Sequence, residues 1–463
     1  MAFDYDLVVI GVGPAGEKAA AQAAYFGKRV CAIERAPEPG GAGTHTGTVP
    51  SKTLRETAMY LSGYRSRDMY GVAVELERTA TVPRLMSRKA AIVASESARI
   101  RENLQRHGVA YLNGVARFVD AHTIDVVGGS TRRVTADKVL IATGSRPARP
   151  AGIDFDDGHI HDSDEILAIE TLPASLTILG AGVIGCEYAC MFAALGVKVT
   201  LVDARDSLLA FLDGEMVEKL AASMRRMGIE LRLGARWTEV KREGDRVVTT
   251  FEGGPKLANE HLLYAAGREG RIDELNLAAV GVLPDKRGYL YVNENYQTTV
   301  PTIFAAGDAI GFPALAATSM EQGRVAICHA FGFEYKKAVG ELLPYGIYTI
   351  PEVSSLGETE ESCQHIGTAY VVGRAQYAQN ARGKIAGDTE GLLKLVVARD
   401  SRKLLGVHVI GERATELVHV GQAIMHLGGK VDTLIDMVFN YPSLGEAYKY
   451  AAYDCLGRLA GKS

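Results

Sequence analysis

A glycine-rich segment near the start of the chain has the residue types and spacing of a phosphate-binding turn. The segment contains Gly11, Gly13, Pro14, Ala15 and Gly16. It follows an apolar run over residues 7–10 and precedes an alanine-rich stretch. In a strand–turn–helix unit, the first glycine permits the tight turn, the second admits a pyrophosphate, and the third lets the helix pack on the strand. We therefore predict a dinucleotide site at this turn.

The same pattern occurs twice, and each copy ends in an acidic residue. The next apolar run after the first turn ends in Glu34, followed by Arg35. The second turn contains Gly180, Gly182, Val183, Ile184 and Gly185, and the run after it ends in Asp203, followed by Ala204 and Arg205. Each acid follows its turn by roughly 20 residues, where a carboxylate can accept hydrogen bonds from a ribose. Two copies with one spacing predict two dinucleotide-binding domains.

The residues after the second turn bear on which nicotinamide nucleotide binds there. Asp203 favours NAD(H), because its carboxylate can accept from the ribose 2′-hydroxyl and would repel a 2′-phosphate. Arg205 favours NADP(H), since a guanidinium forms paired hydrogen bonds with phosphate. We therefore expect both nucleotides to bind, with NADP(H) held more weakly and anchored by Arg205.

Strands and further glycine turns divide the chain into domains. The turns contain Ala142, Thr143 and Gly144, then Gly267, then Gly307 and Asp308. The first two suit crossovers between domains, and the last resembles the strand and acid that hold a flavin ribityl chain. We predict an α/β fold with two Rossmann-like, dinucleotide-binding domains and a C-terminal α+β domain that forms an interface. The predicted bounds are 1–149 and 270–340 for the two parts of the first domain, 150–269 for the second and 341–463 for the third.

Composition excludes several other classes of protein. The 463 residues carry a formal net charge of −4, which argues against nucleic-acid or anionic-membrane binding because both need a basic surface. The sequence contains no apolar run long enough for a membrane span and no signal peptide, so we expect a cytoplasmic protein. The six cysteines have no paired metal-ligand spacing. His159 and His161 lie in an acidic loop, but we expect capping or solvation there and no metal site.

These patterns together resemble the flavoproteins of the pyridine nucleotide–disulfide oxidoreductase family that have two dinucleotide-binding domains. The resemblance covers essentially the whole chain. It implies FAD in the first domain, NAD(H) or NADP(H) in the second, and a homodimer, possibly within a higher assembly, formed through the third.

The residues that carry disulfide chemistry in that family are replaced here. Residues 40–52 match a frame with two redox cysteines, but Gly43 and Thr48 occupy the cysteine positions. Neither side chain can form a disulfide or a thiolate. The histidine that serves as thiol base in relatives corresponds to Tyr441, a poor proton acceptor near neutral pH. Glu446, which would orient that base, remains. The resemblance therefore implies a flavoprotein that does not reduce disulfides.

Residues 44–52, 182–189, 312–324, 347–353 and 439–442 resemble the corresponding segments of the soluble transhydrogenase branch of the family. That resemblance implies hydride transfer between NADPH and NAD+ by a ping-pong route through FAD. It places Lys52 beside the flavin with Glu187 as its partner, and His45, Thr48 and Tyr441 around the flavin face. Gly41 would contribute to FAD binding.

Two alternatives remain open at the level of sequence. The first is an NAD(P)H-dependent quinone or dye reductase, or an oxidase, using a cavity left by the missing sulfurs. The second is a flavoprotein that binds without catalysis. Lys52, Glu187 and both turns argue against the second.

Overall fold

The secondary structure alternates strands and helices in its first two thirds. The structure, a computed structural model, describes residues 3–64, 69–71, 74, 76–254 and 256–461. Its strands, in chain order, are β1 (Tyr5–Ile10), β2 (Val30–Glu34), β3 (Ala110–Asn113), β4 (Val115–Asp120), β5 (Thr123–Val127), β6 (Arg132–Ile141), β7 (Ser145–Pro147), β8 (Ile160–Asp162), β9 (Ser175–Leu179), β10 (Lys198–Asp203), β11 (Glu230–Leu233), β12 (Trp237–Glu243), β13 (Arg246–Phe251), β14 (Leu257–Asn259), β15 (His261–Tyr264), β16 (Arg268–Gly270), β17 (Ile303–Ala305), β18 (Tyr345–Ile347), β19 (Val353–Gly357), β20 (Tyr370–Gln376), β21 (Leu392–Ala398) and β22 (Leu404–Ile410). Its α-helices are α1 (Pro14–Tyr25), α2 (Gly41–His45), α3 (Thr48–Leu61), α4 (Arg78–Arg106), α5 (Val183–Ala194), α6 (Gly214–Arg226), α7 (Ala316–Phe331), α8 (Glu360–Ile366), α9 (Ala381–Ala386), α10 (Ala414–His426), α11 (Val431–Asp436) and α12 (Glu446–Leu459).

The first sheet is assembled from distant parts of the chain. Strands β3, β2, β1 and β6 pair in that order and in parallel, and β17 returns to pair with β6. Leu7, Val8 and Val9 on β1 are fully buried, as expected for a strand covered on both faces. Antiparallel strands β5 and β4 extend the sheet beyond β6. The first glycine turn therefore lies at the carboxyl end of a central strand.

The second sheet repeats this arrangement within a continuous stretch of chain. Its order is β11-β10-β9-β15-β8, with all neighbours parallel. Where the chain leaves and re-enters the first unit, β7 and β16 pair with each other in antiparallel fashion. The predicted fold class, with two dinucleotide-binding sheets, is confirmed.

The C-terminal unit is an antiparallel sheet of order β18-β19-β22-β21-β20 with helices packed against it. Helix α12 contacts β20, and α10 contacts β22. A Cβ on Gly373 of β20 would lie 2.0 Å from the carbonyl oxygen of Ala451, so only glycine allows this close approach of strand and helix.

A buried ion cluster joins the second unit to the third. Lys394 Nζ on β21 lies 2.8 Å from Asp213 Oδ1 and 2.6 Å from Glu360 Oε1. The Lys394 and Asp213 side chains are 1% and 0% exposed. Asp213 also caps α6, because its carboxylate accepts from the Glu215 N–H at 3.1 Å. Burial opposes ionisation of Asp213, but the charges and hydrogen bonds around it, His408 and Lys394 foremost, hold its pKa below the usual value.

No helix in the described ranges is both long and apolar enough to cross a membrane.

Candidate active site

The fold brings Lys52 and Glu187 together although 135 residues separate them in the sequence. Lys52 lies in the first turns of α3 and Glu187 in those of α5. Lys52 Nζ lies 2.7 Å from Glu187 Oε2, and the two side chains are 25% and 9% exposed. A pair shielded in this way interacts more strongly than one in open water. The arrangement fixes a cationic nitrogen at the junction of the first two units.

The segment that follows β18 fixes the second oxygen of Glu187. The Tyr348 N–H donates to Glu187 Oε1 at 2.9 Å. Lys52 Nζ lies 5.0 Å from the centroid of the Tyr348 ring, within the range of a cation–π contact. The third unit therefore contributes directly to the geometry of the Lys52–Glu187 pair.

Arg55 holds that segment in place from one helical turn beyond Lys52. The guanidinium of Arg55 donates to the Thr349 carbonyl at 3.0 and 2.9 Å, and it is 3.4 Å from Glu352. Sequence reasoning gave no role to Tyr348 or Arg55. The one available signal was the i,i+3 spacing of Lys52 and Arg55, which places both cations on one face of a helix.

The first glycine turn has the geometry that its sequence predicts. Gly11 has φ +94°, and a Cβ on Gly16 would lie 1.9 Å from the Gly11 carbonyl oxygen. Glu34 at the end of β2 accepts from the Val12 N–H at 2.8 Å and from the Ala36 N–H at 2.9 Å. The carboxylate is thus held at the edge of the turn, where a ribose would lie.

The second turn reproduces this geometry. Gly180 has φ +112°, and a Cβ on Gly185 would lie 1.8 Å from the Gly180 carbonyl oxygen. Asp203 accepts from the Ala181 N–H at 2.6 Å, as Glu34 does from Val12 in the first turn. The two copies therefore share the placement of the acid as well as of the glycines.

Arg205 lies against Asp203, and its side chain remains 54% exposed. Its Nε and Nη2 donate to the two carboxylate oxygens at 3.0 and 2.7 Å. Burial opposes ionisation of Asp203, but the hydrogen bonds from Arg205 and Ala181 outweigh it and lower the pKa of Asp203. To bind a 2′-phosphate as predicted, Arg205 would have to break its hydrogen bonds to Asp203 and pair with the phosphate instead.

Asp308 is part of a polar chain that reaches the crossover between units. Ser145 Oγ donates to Asp308 Oδ2 at 2.9 Å, and Arg268 Nε donates to Ser145 Oγ at 2.9 Å. Gly307 has φ +74°, and its N–H donates to Gln322 at 2.9 Å. Gly267, just before Arg268, has φ +122°. Ser145 and Arg268, each next to a glycine of the predicted crossovers, therefore connect these segments to the predicted flavin-binding acid.

The residues around the first turn fit a bound dinucleotide. In the described part of the chain, Thr143 Oγ1 and Ser319 Oγ are buried without a hydrogen-bond partner. Thr143 lies between the predicted contacts Ala142 and Gly144, and Ser319 Oγ would be 3.4 Å from a Cβ on Gly307. A bound cofactor would supply the partners that these hydroxyls lack.

The second glycines of the two turns leave the space that a pyrophosphate needs. A Cβ on Gly182 would have nothing within 4 Å, and one on Gly13 would meet only the Cα of Gly41, at 3.7 Å. Pro14 and Ala15 begin α1, and Val183 and Ile184 begin α5, so the N-termini of both helices face these openings. Arg35, adjacent to the ribose position, pairs with Glu274 at 2.7 Å.

Gly43 packs closely against the first turn. A Cβ on Gly43 would lie 2.8 Å from Pro14 Cγ, so a side chain at this position would press against the proline of that turn. Thr48, at the second cysteine position, is the first residue of α3. The six cysteines present are all free and buried elsewhere.

His45 points toward α4. Its Nε2 lies 3.0 Å from the Pro39 carbonyl oxygen and 3.3 Å from Ser97 Oγ. These contacts fix the loop before α3. Among the residues described, His45 forms no hydrogen bond with Lys52 or Glu187.

Tyr441 and Glu446 lie in the third unit. Tyr441 is 75% exposed in a single protomer, and Glu446 begins α12. Neither forms a hydrogen bond or ion pair with Lys52 or Glu187 within the described protomer. Their predicted place at the flavin therefore depends on a second subunit.

The histidines of the acidic loop pack against a third histidine. His161 Nε2 lies 2.8 Å from His261 Nδ1, and the His159 and His161 rings both stack on the His261 ring. Burial, followed by the neighbouring histidines, lowers the pKa of His161 and of His261 to about 4. Over the ranges that the structure covers, no group of three or more His, Cys, Asp or Glu side chains could hold a metal ion.

Comparison with known proteins gives consistent matches over the whole chain. The pyridine nucleotide-disulphide oxidoreductase family matches residues 5–323, and its dimerisation domain matches residues 343–452. A protein named soluble pyridine nucleotide transhydrogenase from Mycobacterium bovis (strain BCG / Pasteur 1173P2) is 48% identical over 459 residues, which cover 98% of each chain. A protein of the same name from Escherichia coli O9:H4 (strain HS) is 42% identical, with 99% of each chain covered.

Solved structures show the same fold at lower identity. The HOCl-induced flavoprotein disulfide reductase RclA from Escherichia coli, as a Cu(II) complex, has a TM-score of 0.89 at 27% identity, covering 98% of this chain and 99% of that chain. LpdA from Mycobacterium tuberculosis has a TM-score of 0.89 at 28% identity, covering 96% of this chain and 99% of that chain. The chain therefore belongs to the pyridine nucleotide-disulphide oxidoreductase family.

Proposed function

We propose that this protein catalyses FAD-dependent hydride transfer between NADPH and NAD+, as a soluble pyridine nucleotide transhydrogenase. The observation that carries the proposal is the combination of two intact dinucleotide turns with the Lys52–Glu187 pair, while Gly43 and Thr48 stand where a redox disulfide would be. A chain that can accept hydride but has no disulfide must return it to another acceptor. The names of the relatives at 41–48% identity support a second nicotinamide nucleotide as that acceptor.

The chain's own residues would bind and orient the reactants. FAD, when bound, supplies the ring that accepts and returns hydride. Lys52 presents a fixed positive charge, and Glu187 keeps its nitrogen in place. Glu34 and Asp308 would hold the ribose and ribityl hydroxyls of FAD, with Gly41 and Thr143 against its diphosphate side.

Both nicotinamide nucleotides would use the second turn in succession. Asp203, ionised and hydrogen-bonded, would accept from the ribose hydroxyls of NAD(H). For NADP(H), Arg205 would leave Asp203 and pair with the 2′-phosphate. Because that exchange breaks two hydrogen bonds, NADP(H) would bind more weakly than NAD(H).

The proposed assembly is a homodimer in the cytoplasm. The dimerisation domain at residues 343–452 supports self-association. Val438 and Tyr441 are 92% and 75% exposed in one protomer. A second copy that covers them would bring Tyr441 and Glu446 toward the flavin of its partner.

The test is anaerobic hydride transfer from NADPH to thio-NAD+ by the purified holoenzyme, with menadione as a parallel acceptor. We expect rapid formation of thio-NADH and slower reduction of menadione. Turnover on menadione or O2 without transfer to thio-NAD+ would instead support a quinone reductase or oxidase. If NADH fails to bleach the flavin under nitrogen, the protein would be one that binds flavin without catalysing hydride transfer.

A further inference from the structure

The loop between β10 and α6 reaches from the second dinucleotide turn to the third unit. It covers residues 204–213, and we call it the 204–213 loop. It follows Asp203, which accepts from the Ala181 N–H at 2.6 Å, and it ends at Asp213, whose side chain is 0% exposed. One end of the loop is therefore fixed at the second turn and the other at the buried cluster around Lys394.

The middle of the loop packs on the second turn in a strained conformation. The Leu209 N–H donates to the Ala181 carbonyl at 3.3 Å, and Leu209 is 1% exposed. Leu209 has φ +41°, a left-handed value that is unfavourable for a bulky side chain. Such a conformation persists only where the surrounding contacts hold it.

The contacts that hold this conformation lead directly to the third unit. The Leu212 N–H donates to the Leu209 carbonyl at 2.9 Å, which closes a turn immediately before Asp213. Asp213 Oδ1 lies 2.8 Å from Lys394 Nζ on β21. The strained part of the loop is thus one short turn away from a buried ion pair with the third unit.

Two further contacts with the third unit fix the start of α6. The Gly214 N–H donates to Glu361 Oε1 on α8 at 3.0 Å. Arg374 Nε on β20 donates to the two carboxylate oxygens of Glu215 at 3.0 and 2.9 Å. The helix that follows the loop is therefore also held by the third unit.

The second turn and the loop meet at the backbone of one residue. Ala181 lies between two glycines of the turn that receives a pyrophosphate, and it donates to Asp203 and accepts from Leu209. A loop released from Lys394 would let Leu209 relax and would weaken its hydrogen bond to Ala181. The turn would then be less well organised before a nucleotide arrives, and a less organised site binds more weakly.

We propose that Lys394 is a positioning residue for the second dinucleotide site. Through Asp213 it holds the 204–213 loop against the turn, so that the third unit sets the affinity for nicotinamide nucleotides. The effect falls on NAD+ and NADP+ alike, because both carry the pyrophosphate that the turn receives. This inference rests on the proposed function, in that it takes these two as the nucleotides of the second turn.

The test is calorimetric titration of the oxidised holoenzyme with NAD+ and with NADP+, for the wild type, Lys394→Met and the double variant Lys394→Met, Asp213→Asn. Asparagine at position 213 can still cap α6, but it carries no buried charge. We expect both Kd values to rise about three- to tenfold in both variants, a range typical of coupling through packed contacts. FAD content should stay at the wild-type level. The double variant should regain part of the lost stability but none of the lost affinity.

Two more variants separate positioning from stability. Glu361→Ala removes the acceptor of the Gly214 N–H without leaving a buried charge, and it should raise both Kd values in the same direction. The control is Leu434→Ala, at a 0% exposed leucine of α11 in the core of the third unit. It should lower the melting temperature and leave both Kd values unchanged.

Wild-type Kd values in Lys394→Met, or in Glu361→Ala if Lys394→Met does not fold, would overturn the inference. So would Kd values that recover in the double variant together with the melting temperature, because Lys394 would then act through stability alone. The titration needs no turnover. If the Kd values shift as expected but no hydride passes from NADPH to thio-NAD+, the positioning role is supported and the proposed function is contradicted.

Discussion

Lys52 owes its position to groups on three elements. Glu187 on α5 forms an ion pair with Lys52, and the ring of Tyr348 lies beside the Lys52 nitrogen. Arg55 holds the backbone next to Tyr348. A lysine fixed in this way loses little additional freedom when it acts on a neighbouring ring, which is the condition for effective electrostatic stabilisation.

Replacement of that lysine should impair the chemical step. We expect Lys52→Met to slow flavin reduction by saturating NADPH by about 10²-fold, the loss typical for one preorganised charged donor. Anaerobic stopped-flow absorbance measures this rate. Lys337→Met, at a 77% exposed lysine, is the control and should react like the wild type. A rate within twofold of wild type for Lys52→Met would remove the lysine from the mechanism.

Replacement of Arg205 should weaken the binding of NADPH but not that of NADH. We expect Arg205→Ala to raise the Kd for NADPH about tenfold, since a charged hydrogen bond to phosphate is lost. The Kd for NADH should not rise, because Asp203 keeps its hydrogen bond from Ala181. Arg226→Ala, similarly exposed, serves as the control for loss of a surface charge. Equal NADPH affinity in Arg205→Ala and wild type would contradict the anchor role.

The glycine turns show how far local sequence determines an element. Gly185 must be glycine because a Cβ would lie 1.8 Å from the Gly180 carbonyl oxygen, and the same restriction applies to Gly16. These contacts join residues that are five apart, so the spacing of the glycines alone predicts them. The spacing within each copy likewise predicts the acids at the ends of β2 and β10.

Other parts of the site could not be predicted from the sequence. The contact between Arg55 and Thr349 spans 294 residues, and the hydrogen bond from Tyr348 to Glu187 spans 161. No local pattern encodes such pairs. The pairing of Arg205 with Asp203 is local, but it depends on a choice of side-chain rotamer that the sequence leaves open.

Adding a single methyl group at Gly185 tests whether the close packing of the second turn is needed. We expect Gly185→Ala to push α5 away from β9 and to cost about 1–3 kcal/mol, as overpacking does. NADH binding should weaken strongly while FAD content stays at the wild-type level, since the first turn is unchanged.

The matched control for Gly185→Ala is Gly457→Ala. Gly457 lies inside α12 with nothing within 4 Å of an added Cβ. Alanine there should raise the melting temperature slightly, because it has the higher helix propensity. If both variants bind NADH like the wild type, the close packing of the second turn is not needed for binding.

At the scale of the whole molecule, the Lys394 cluster joins the second unit to the third. We expect Lys394→Met to lower the free energy of unfolding by about 3–5 kcal/mol, because it leaves Asp213 buried without its partner. Denaturant unfolding measures the change. The double variant Lys394→Met, Asp213→Asn should recover part of the loss, since the uncompensated charge is gone. A double variant less stable than Lys394→Met would contradict this account.

The histidine stack predicts that the folded protein loses stability at acidic pH. The folded pKa values of His161 and His261, about 4, lie below the ordinary value of 6.5, so the unfolded chain binds more protons between these values. Stability should therefore fall as the pH drops from 6.5 toward 4. Replacing both histidines with glutamine should flatten this dependence, measured as melting temperature against pH. An unchanged slope would assign the acid sensitivity to groups outside this stack.

The hydrogen bond from Tyr348 to Glu187 has a consequence for how the protein can be divided. The family match to the nucleotide-binding part ends at residue 323, yet the group that orients Glu187 lies beyond it, on the far side of that border. The boundary that homology draws therefore separates Glu187 from the group that orients it. A chimaera that borrows its last third from another family member would inherit that donor's geometry around Lys52, so the C-terminal part cannot be exchanged without changing the surroundings of the Lys52–Glu187 pair.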